Sequence, residues 1–550
     1  MKPQASLPSA LFITLFSLFV AQLASAGSAT WIGDPTYHEN LWEFASSWTP
    51  NAVPNGPSDI ATFGASDETR VNAGGNIGEL EVDSVVFSPE ASAFTIGPKI
   101  SAYSQTTFTF SGVGIINNSG ITQNFVVTPI DQDANGYPNT TIFANSATAG
   151  DNLIQIAVDG TDENEQYGGL LEFIDSSTAG SSIVSNLGGG FNNGATEFHD
   201  SATAGNAAIT NGAGTLRSGR LAFFDSSSAG NATIMNEAAV GNAFSSATIF
   251  SDSSDAANST IVCNGGNEGL GTLPSIRDPQ PSAYLTFSGD STGGTARVML
   301  FGTSALYLTG HYAPGITLGS LEGEGSVSLA LAFFGGTNLT IGSNNLNTVF
   351  SGVISENDAP GSVTKIGTGS LALAGANAYT GGTTIQAGQL AVNNSSGSGT
   401  GTGQVLVNAG TLSGRGTIAG AVVVGTGSGA GAFLAPGARE VRLGTLTIRK
   451  KLLLKGDSTY KVTLDSRVPT ADAVRANGMR IQGASILFND LGTNVLLPGT
   501  VFVILSNAAT GPISGQFRNL ADGSTVTIGG NTFRANYEGG DGNDLTLTVQ

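Results

Sequence analysis

Gly289-Asp290-Ser291-Thr292-Gly293-Gly294 sets a serine between a carboxylate and a glycine-rich turn, a loop that can present a hydroxyl for nucleophilic attack. Such a serine needs a histidine to take its proton and an acid to orient that histidine. The chain has 3 histidines, His38, His199 and His311. His199 follows Phe198 in a recurring block whose other copies carry Ala144, Ile174 and Phe224 at that place, so it reads as a strand-surface residue. The stretch from Phe287 to Thr292 is itself a loose copy of that block, which makes a turn the better account of the loop.

Two further patterns bear on metals. Gly539-Gly540-Asp541-Gly542-Asn543-Asp544 matches, once, a Gly-Gly-x-Gly-x-Asp pattern that holds calcium when repeated. Those sites are shared between successive turns, so a single copy supplies half a site and reads as a glycine-rich final turn. The other pattern is a row of aspartates. Asp175, Asp200 and Asp225, flanked by Asn145 and Asp252, fall at intervals of 30, 25, 25 and 27 residues. Stacked about 4.8 Å apart, like carboxylates repel unless backbone N–H groups, serines or a cation offset them. The plainer expectation is an Asx-turn from each aspartate to its own backbone; the sharper one is a weak calcium ladder on Asp175, Asp200 and Asp225. No other cofactor is expected.

A polysaccharide lyase or hydrolase needs clustered carboxylates with a basic partner or metal. The densest acidic patch is Asp159, Asp162, Glu163 and Glu165, in an insertion that lengthens the first repeat interval. Between residues 330 and 430 acids are almost missing. A non-enzyme is therefore expected, with a carbohydrate-binding or polysaccharide-cleaving protein as the alternative.

The elements that hold these residues follow from composition and periodicity. Of 550 residues, 78 are glycine, and charged residues make up 11%, against usual values of about 7% and about 25%. Glycine costs about 1 kcal/mol per helical position, which argues against helices, while 40% hydrophobic residues supply a core. The block Phe143–Gly150 recurs as Phe173–Gly180, Phe198–Gly205, Phe223–Gly230 and, degraded, Phe250–Ala257. Phe comes first, Asn or Asp third, serine fourth, and Ala-Gly closes the intact copies. Behind the last four lie short alternating strands ending in asparagine: Ser182–Asn186, Ala207–Asn211, Ala232–Asn236 and Ser259–Asn264. A unit of about 25 residues cannot bury its apolar side chains alone, but stacked on its copies it can. The expected fold is all-β, a right-handed parallel β-helix (β-solenoid), with Phe and Ile in inward columns and Ser, Thr and Asn in side-chain ladders.

Charge and cysteine usage narrow the function. A net charge of −20 excludes nucleic acid as a partner. Arg449, Lys450, Lys451 and Lys455 form the one basic cluster, read as a solvated strand face. A lone cysteine, Cys263, excludes an intramolecular disulfide. Lys2 followed by the apolar run Ala10–Ala21 and the small residues Ala24-Ser25-Ala26 reads as a secretory signal, with Gly27 the first mature residue. No later apolar run is long enough for a spanning helix.

The run Lys365–Asn393, with Asn377, Tyr379, Gly381, Gly382, Thr383 and Gly388 in place, resembles the autotransporter-associated β-strand repeat. Phe350–Ile354 looks like its usual lead-in, and Val405–Leu412, Phe433–Gly437 and Gly444–Ile448 resemble its continuation. Trp31, Trp42 and Trp48, with Pro54–Gly56 and Asp59–Gly64, resemble the opening segment of large secreted proteins with such repeats. There the indoles are expected to plug the first open coil, with a sugar-stacking platform as the other reading. The resemblance implies an exported β-helical passenger used for surface display, adhesion or self-association, and no chemistry. One departure is that the last 100 residues lack the serial amphipathic strands of a membrane barrel.

The expected organisation is a signal peptide over 1–26, a Trp-rich N-terminal aromatic cap over 27–67, and a solenoid of about 25-residue repeats over 68–360. The resembling repeat occupies 361–415, and further coils with a C-terminal β cap occupy 416–550. The expected role is structural or adhesive, at the cell surface or outside the cell, with the periplasm a further option. Surface polysaccharide or other cells are the partner classes that fit.

Overall fold

In each central coil the chain makes three short extended runs separated by two tight corners, and sequence sets both corners. The first is an Asx residue in the left-handed region: Asn145, Asp175, Asp200, Asp225 and Asp252 have φ between 52° and 59°. Asn and Asp tolerate that conformation better than other non-glycine residues. The second corner is a glycine, for instance Gly180 at φ 64°. A Cβ there would stand 2.2 Å from the Gly150 carbonyl oxygen of the coil before, so glycine is required by both conformation and space. A hydroxyl two residues earlier closes this corner, with Thr178 Oγ1 accepting from the Gly180 N–H at 3.0 Å. In the degraded copy Asp255 takes the threonine's part and Ala257 sits at φ 48° where glycine belongs.

The computed structural model describes residues 27–33, 39–73, 78–98, 105–128, 138–159, 168–189, 193–214, 216–240, 243–266, 281–329, 335–429, 431–437 and 443–550. The expected signal peptide, His38, Asp162, Glu163 and Glu165 lie outside these residues.

Corners of this kind return each coil to the same place one strand spacing further along, and parallel sheets result. One sheet runs through Leu170–Phe173, Ala195–Phe198, Arg220–Phe223 and Ser246–Phe250 and holds 14 strands among the described residues. Its strands pair in register, Phe143 with Phe173, Phe173 with Phe198, Phe198 with Phe223. A second sheet carries Ile183–Asn186, Ala208–Asn211, Thr233–Asn236 and Thr260–Gly265. Between them a narrow third side is a row of single bridges through Thr148, Thr178, Thr203, Ser228, Asp255 and Thr292. The expected all-β parallel solenoid is what forms. The only helical segment among the described residues is the 3-10 turn Ala45–Ser47.

The core is a set of columns. Phe110, Phe143, Phe173, Phe198, Phe223, Phe250 and Phe287 stack ring on ring, with centroids 4.6–4.9 Å apart and planes within 10°. On the second sheet a buried amide ladder runs from Asn186 Nδ2 to Asn211 Oδ1 (2.8 Å) and from Asn211 Nδ2 to Asn236 Oδ1 (2.6 Å). Asn264 is not its next member. Cys263 pairs with Asn236 and receives its Nδ2 at 3.3 Å, while Asn264 is exposed. The two extra residues of this 27-residue interval fall before Phe250, so the register is kept and cysteine stands at the inward position that asparagine holds in the coils before.

The two ends differ. At the start, strand Ala29–Trp31 pairs parallel with Gly56–Phe63 and antiparallel with Trp48–Thr49. Trp31, Trp42 and Trp48 are buried and all contact Phe63, at 6.1, 5.9 and 5.7 Å. Their indole N–H groups donate to the backbone oxygens of Glu68, Pro54 and Trp42. No indole face remains for a sugar. At the other end Val501–Asn507, Asp544–Val549, Asn531–Gly539 and Thr525–Ile528 form an antiparallel run. Asn519 covers strand Ser485–Asp490 there, its amide accepting from Ile486 N–H and donating to Ile486 O like a missing neighbour. Arg449, Lys450 and Lys451 lie exposed at a bend between Thr445–Ile448 and Leu452–Leu454, not on a strand face.

Candidate functional site

Three places could do something, and the geometry treats them differently. Ser291 and His311 do meet, although 20 residues separate them. The ring Nε2 lies 2.7 Å from the Ser291 carbonyl oxygen, not from its hydroxyl, and Nδ1 lies 2.7 Å from the Tyr312 carbonyl oxygen. Ser291 Oγ is buried without a partner, in the inward column that also holds Ser254. A base whose nitrogens both face backbone oxygens and a hydroxyl turned into the core do not make a nucleophile. The loose-copy reading stands with one change: Gly289 at φ 65°, not Asp290, occupies the left-handed corner above Asp252. Beside it opens a cavity of about 490 Å³, lined among others by Asp290, Thr292, His311, Tyr312 and Thr317.

The aspartate row is real as a row. Asp175, Asp200 and Asp225 are exposed on one edge, and each bonds across coils instead of to its own backbone as expected. Asp175 Oδ2 accepts from Asn145 N–H at 2.8 Å, Asp200 Oδ2 from Asp175 N–H at 3.1 Å, and Asp225 Oδ2 from Asp200 N–H at 3.1 Å. The left-handed backbone turns each N–H toward the following coil, and that is why the Asx-turn expectation failed. These bonds offset part of the repulsion between like charges. The Gly539–Asp544 pattern is the hairpin turn between the last two long strands, and Asp544 Oδ1 accepts from Asn507 N–H at 2.8 Å.

The third place is the corner after strand Ser370–Leu373, where the most specific sequence pattern lies. Buried Asn377 links three coils: its Oδ1 accepts from Ile354 N–H (2.8 Å), its Nδ2 donates to Gly399 O and its own N–H donates to Ser398 O (both 2.7 Å). Tyr379 is fully buried with its hydroxyl 2.7 Å from Thr383 Oγ1, and burial pushes its pKa up. Gly381 donates to Gly361 O, which a Cβ would approach to 2.5 Å. Lys365, in register between Ile341 and Ile385, is buried and donates to Ile366 O and Gly367 O. Burial pulls its pKa down to about 8. Each residue of the pattern thus satisfies backbone or closes a coil, and none points a reactive group at solvent.

Sequence reasoning missed several of these positions. A buried lysine inside an alternating strand gave no warning, because lysine normally marks the outer side. Asp472 is buried as well, and burial raises its pKa to about 6 despite N–H groups from Gly444 and Thr463. His199 is half-buried on the outer side of the first sheet, as expected of a strand-surface residue.

Residues 363–392 match the family described as passenger-associated-transport-repeat. No curated protein matches the chain. The matched segment contributes strands Ser370–Leu373, Thr383–Ile385 and Gln389–Val392, paired in register with the coils on either side. Among the described residues no helix is long and apolar enough to cross a membrane. Residues 363–392 thus match a passenger-associated-transport repeat, and the structure builds that segment into a continuous parallel β-solenoid.

Proposed function

We propose that this chain is an exported, non-enzymatic β-solenoid that serves outside the cytoplasm as a structural and adhesive element at or near the cell surface. One observation carries the reading: the passenger-type repeat at 363–392 is no appendage but a set of coils sharing one buried core with the rest of the stack. A rod held by parallel pairing and inward columns needs no disulfide, and its sides offer rows of Ser, Thr, Asn and Asp to a polysaccharide or another cell. The test is location. The mature protein, beginning at Gly27, is expected on intact cells, where added protease removes it, or in the medium. Retention of the uncleaved chain in the cytoplasm overturns the proposal.

A carbohydrate-binding reading has one observation in its favour, the cavity lined in part by Tyr312, a residue that is 49% exposed. Aromatic rings and hydroxyls such as Thr292 and Thr317 suit a sugar. Asp290 is the one carboxylate among the lining residues, short of the pair that glycosidic cleavage uses. Incubation with a panel of acidic polysaccharides separates the readings: retention that Tyr312→Ala abolishes favours binding, and chain cleavage overturns the non-enzymatic proposal. Calcium along Asp175, Asp200 and Asp225 is a proposal of the same standing. It rests on an exposed row whose Oδ1 atoms take none of the inter-coil bonds, and a chelator that leaves the melting temperature unchanged removes it.

A further inference from the structure

We propose that Glu172, Glu197 and His199 form a binding site for a divalent transition metal of the Zn²⁺ type on the outer side of the Phe-bearing sheet. Nothing in the passenger reading requires it. Glu172 and Glu197 are register partners in adjacent strands, facing outward while Phe173 and Phe198 face the core. His199 follows directly. One ligand atom from each of the three lies within 4.8 Å of the other two, and all three residues are half-buried.

The surroundings prepare the donors. The His199 ring lies flat on Phe224 of the next coil, with centroids 4.9 Å apart and planes at 13°. Its Nε2 is 3.5 Å from Glu197 Oε2, and its Nδ1 is 3.8 Å from Asp225 Oδ2. If Nε2 binds the metal, Nδ1 carries the ring proton, and Asp225 is a carboxylate close enough to take it with a small side-chain rotation. Arg220 holds Glu197 Oε1 at 2.8 Å and so aims Oε2 at the same point.

Chemistry selects the class of ion. One imidazole and two carboxylates at about 2.0–2.2 Å suit Zn²⁺ and its neighbours, whereas Ca²⁺ and Mg²⁺ take oxygen ligands. Side-chain rotation closes the remaining gap, since the donors stand on stems above a rigid sheet. The set is local to two coils: the same columns carry Ile142, Ala222 and Ile249 in place of glutamate and Ala144, Ile174 and Phe224 in place of histidine. Three protein donors leave a fourth position open to water or an outside ligand.

The test titrates the full mature chain, stripped of metal, with Zn²⁺ by calorimetry and with Co²⁺ by visible absorption. One ion per chain is expected, with a Co²⁺ spectrum typical of nitrogen and oxygen ligation. His199→Ala, which places there the residue found at position 144, and Glu172→Gln should each weaken Zn²⁺ binding at least about tenfold. Asp225→Asn should weaken it by about tenfold through the ring, and Asp200→Asn should leave it unchanged. Absence of Zn²⁺ binding, Zn²⁺ binding that survives both His199→Ala and Glu172→Gln, or displacement by equimolar Ca²⁺ overturns the proposal. Circular dichroism confirms that each variant is folded; if His199→Ala is not, Glu172→Gln decides.

Discussion

Replacing Phe198 by alanine probes the claim that like side chains form columns along the rod. The ring is fully buried, with Phe173 on one side at 4.6 Å and Phe223 on the other at 4.8 Å. Truncating a buried Phe to Ala costs about 3–5 kcal/mol, and each aromatic pair adds about 0.5–1.5 kcal/mol beyond buried area. Phe198 loses two such pairs, so the cost should lie at the upper end, about 5 kcal/mol. The stack further predicts which second substitution couples to the first. Phe198→Ala with Phe223→Ala removes a shared pair and merges two cavities, so the double variant should lose about 1 kcal/mol less than the sum. Phe198→Ala with Phe250→Ala, separated by an intact Phe223, should be additive within about 0.5 kcal/mol. Urea titration followed by far-UV circular dichroism reads the three single and two double variants against the wild type. A single loss below about 2 kcal/mol, or equal coupling in the two pairs, would refute the column.

The other predictions concern single positions. Asn377→Ala should cost about 2–4 kcal/mol in the same titration, because it leaves buried Ile354 N–H and Gly399 O without partners. Ala257→Gly should stabilise by about 1 kcal/mol, since it relieves an alanine held at φ 48°; a loss of stability would mean that the corner is not strained. Asp472, raised from 3.8 to about 6, favours folding most below pH 3.8, and that contribution disappears as pH rises through 6. The wild type should therefore lose up to about 3 kcal/mol relative to Asp472→Asn between pH 4 and pH 7, measured as paired urea midpoints. Cys263 is buried and its thiol is pushed up to about 12. Iodoacetamide at pH 8 should leave it unlabelled in the native protein and label it as the central coils open in urea, whereas fast native labelling would contradict its place in the amide ladder.

How much was legible depended on whether a residue's role repeats. Phe143, Phe173, Phe198, Phe223 and Phe250 recur with their Asx and glycine corners, and a recurring inward residue beside two turn residues leaves a chain little choice but to stack. Lys365–Asn393 was legible through its resemblance to a known repeat, although the buried place of Lys365 within it was not. The Asn ladder was legible as far as Asn236 and failed at Cys263, because a strand ending in asparagine points to Asn264, whereas the register set by Phe250 puts the cysteine in the inward place. Asp200 was placed correctly but its bond was not, since the acceptor of an outward carboxylate depends on which N–H the neighbouring coil presents.

Sequence by itself determined the all-β class, the coil length, the inward columns and the two corners, all consequences of local conformational preference and of burying apolar side chains. Tertiary structure alone decided what meets across coils. Ser291 gives His311 its carbonyl oxygen and not its hydroxyl, and Glu172, Glu197 and His199 converge although the repeat offers no precedent for any of them. Such contacts arise because parallel stacking brings residues some 25 positions apart to within about 5 Å, a distance that no local pattern in the chain encodes.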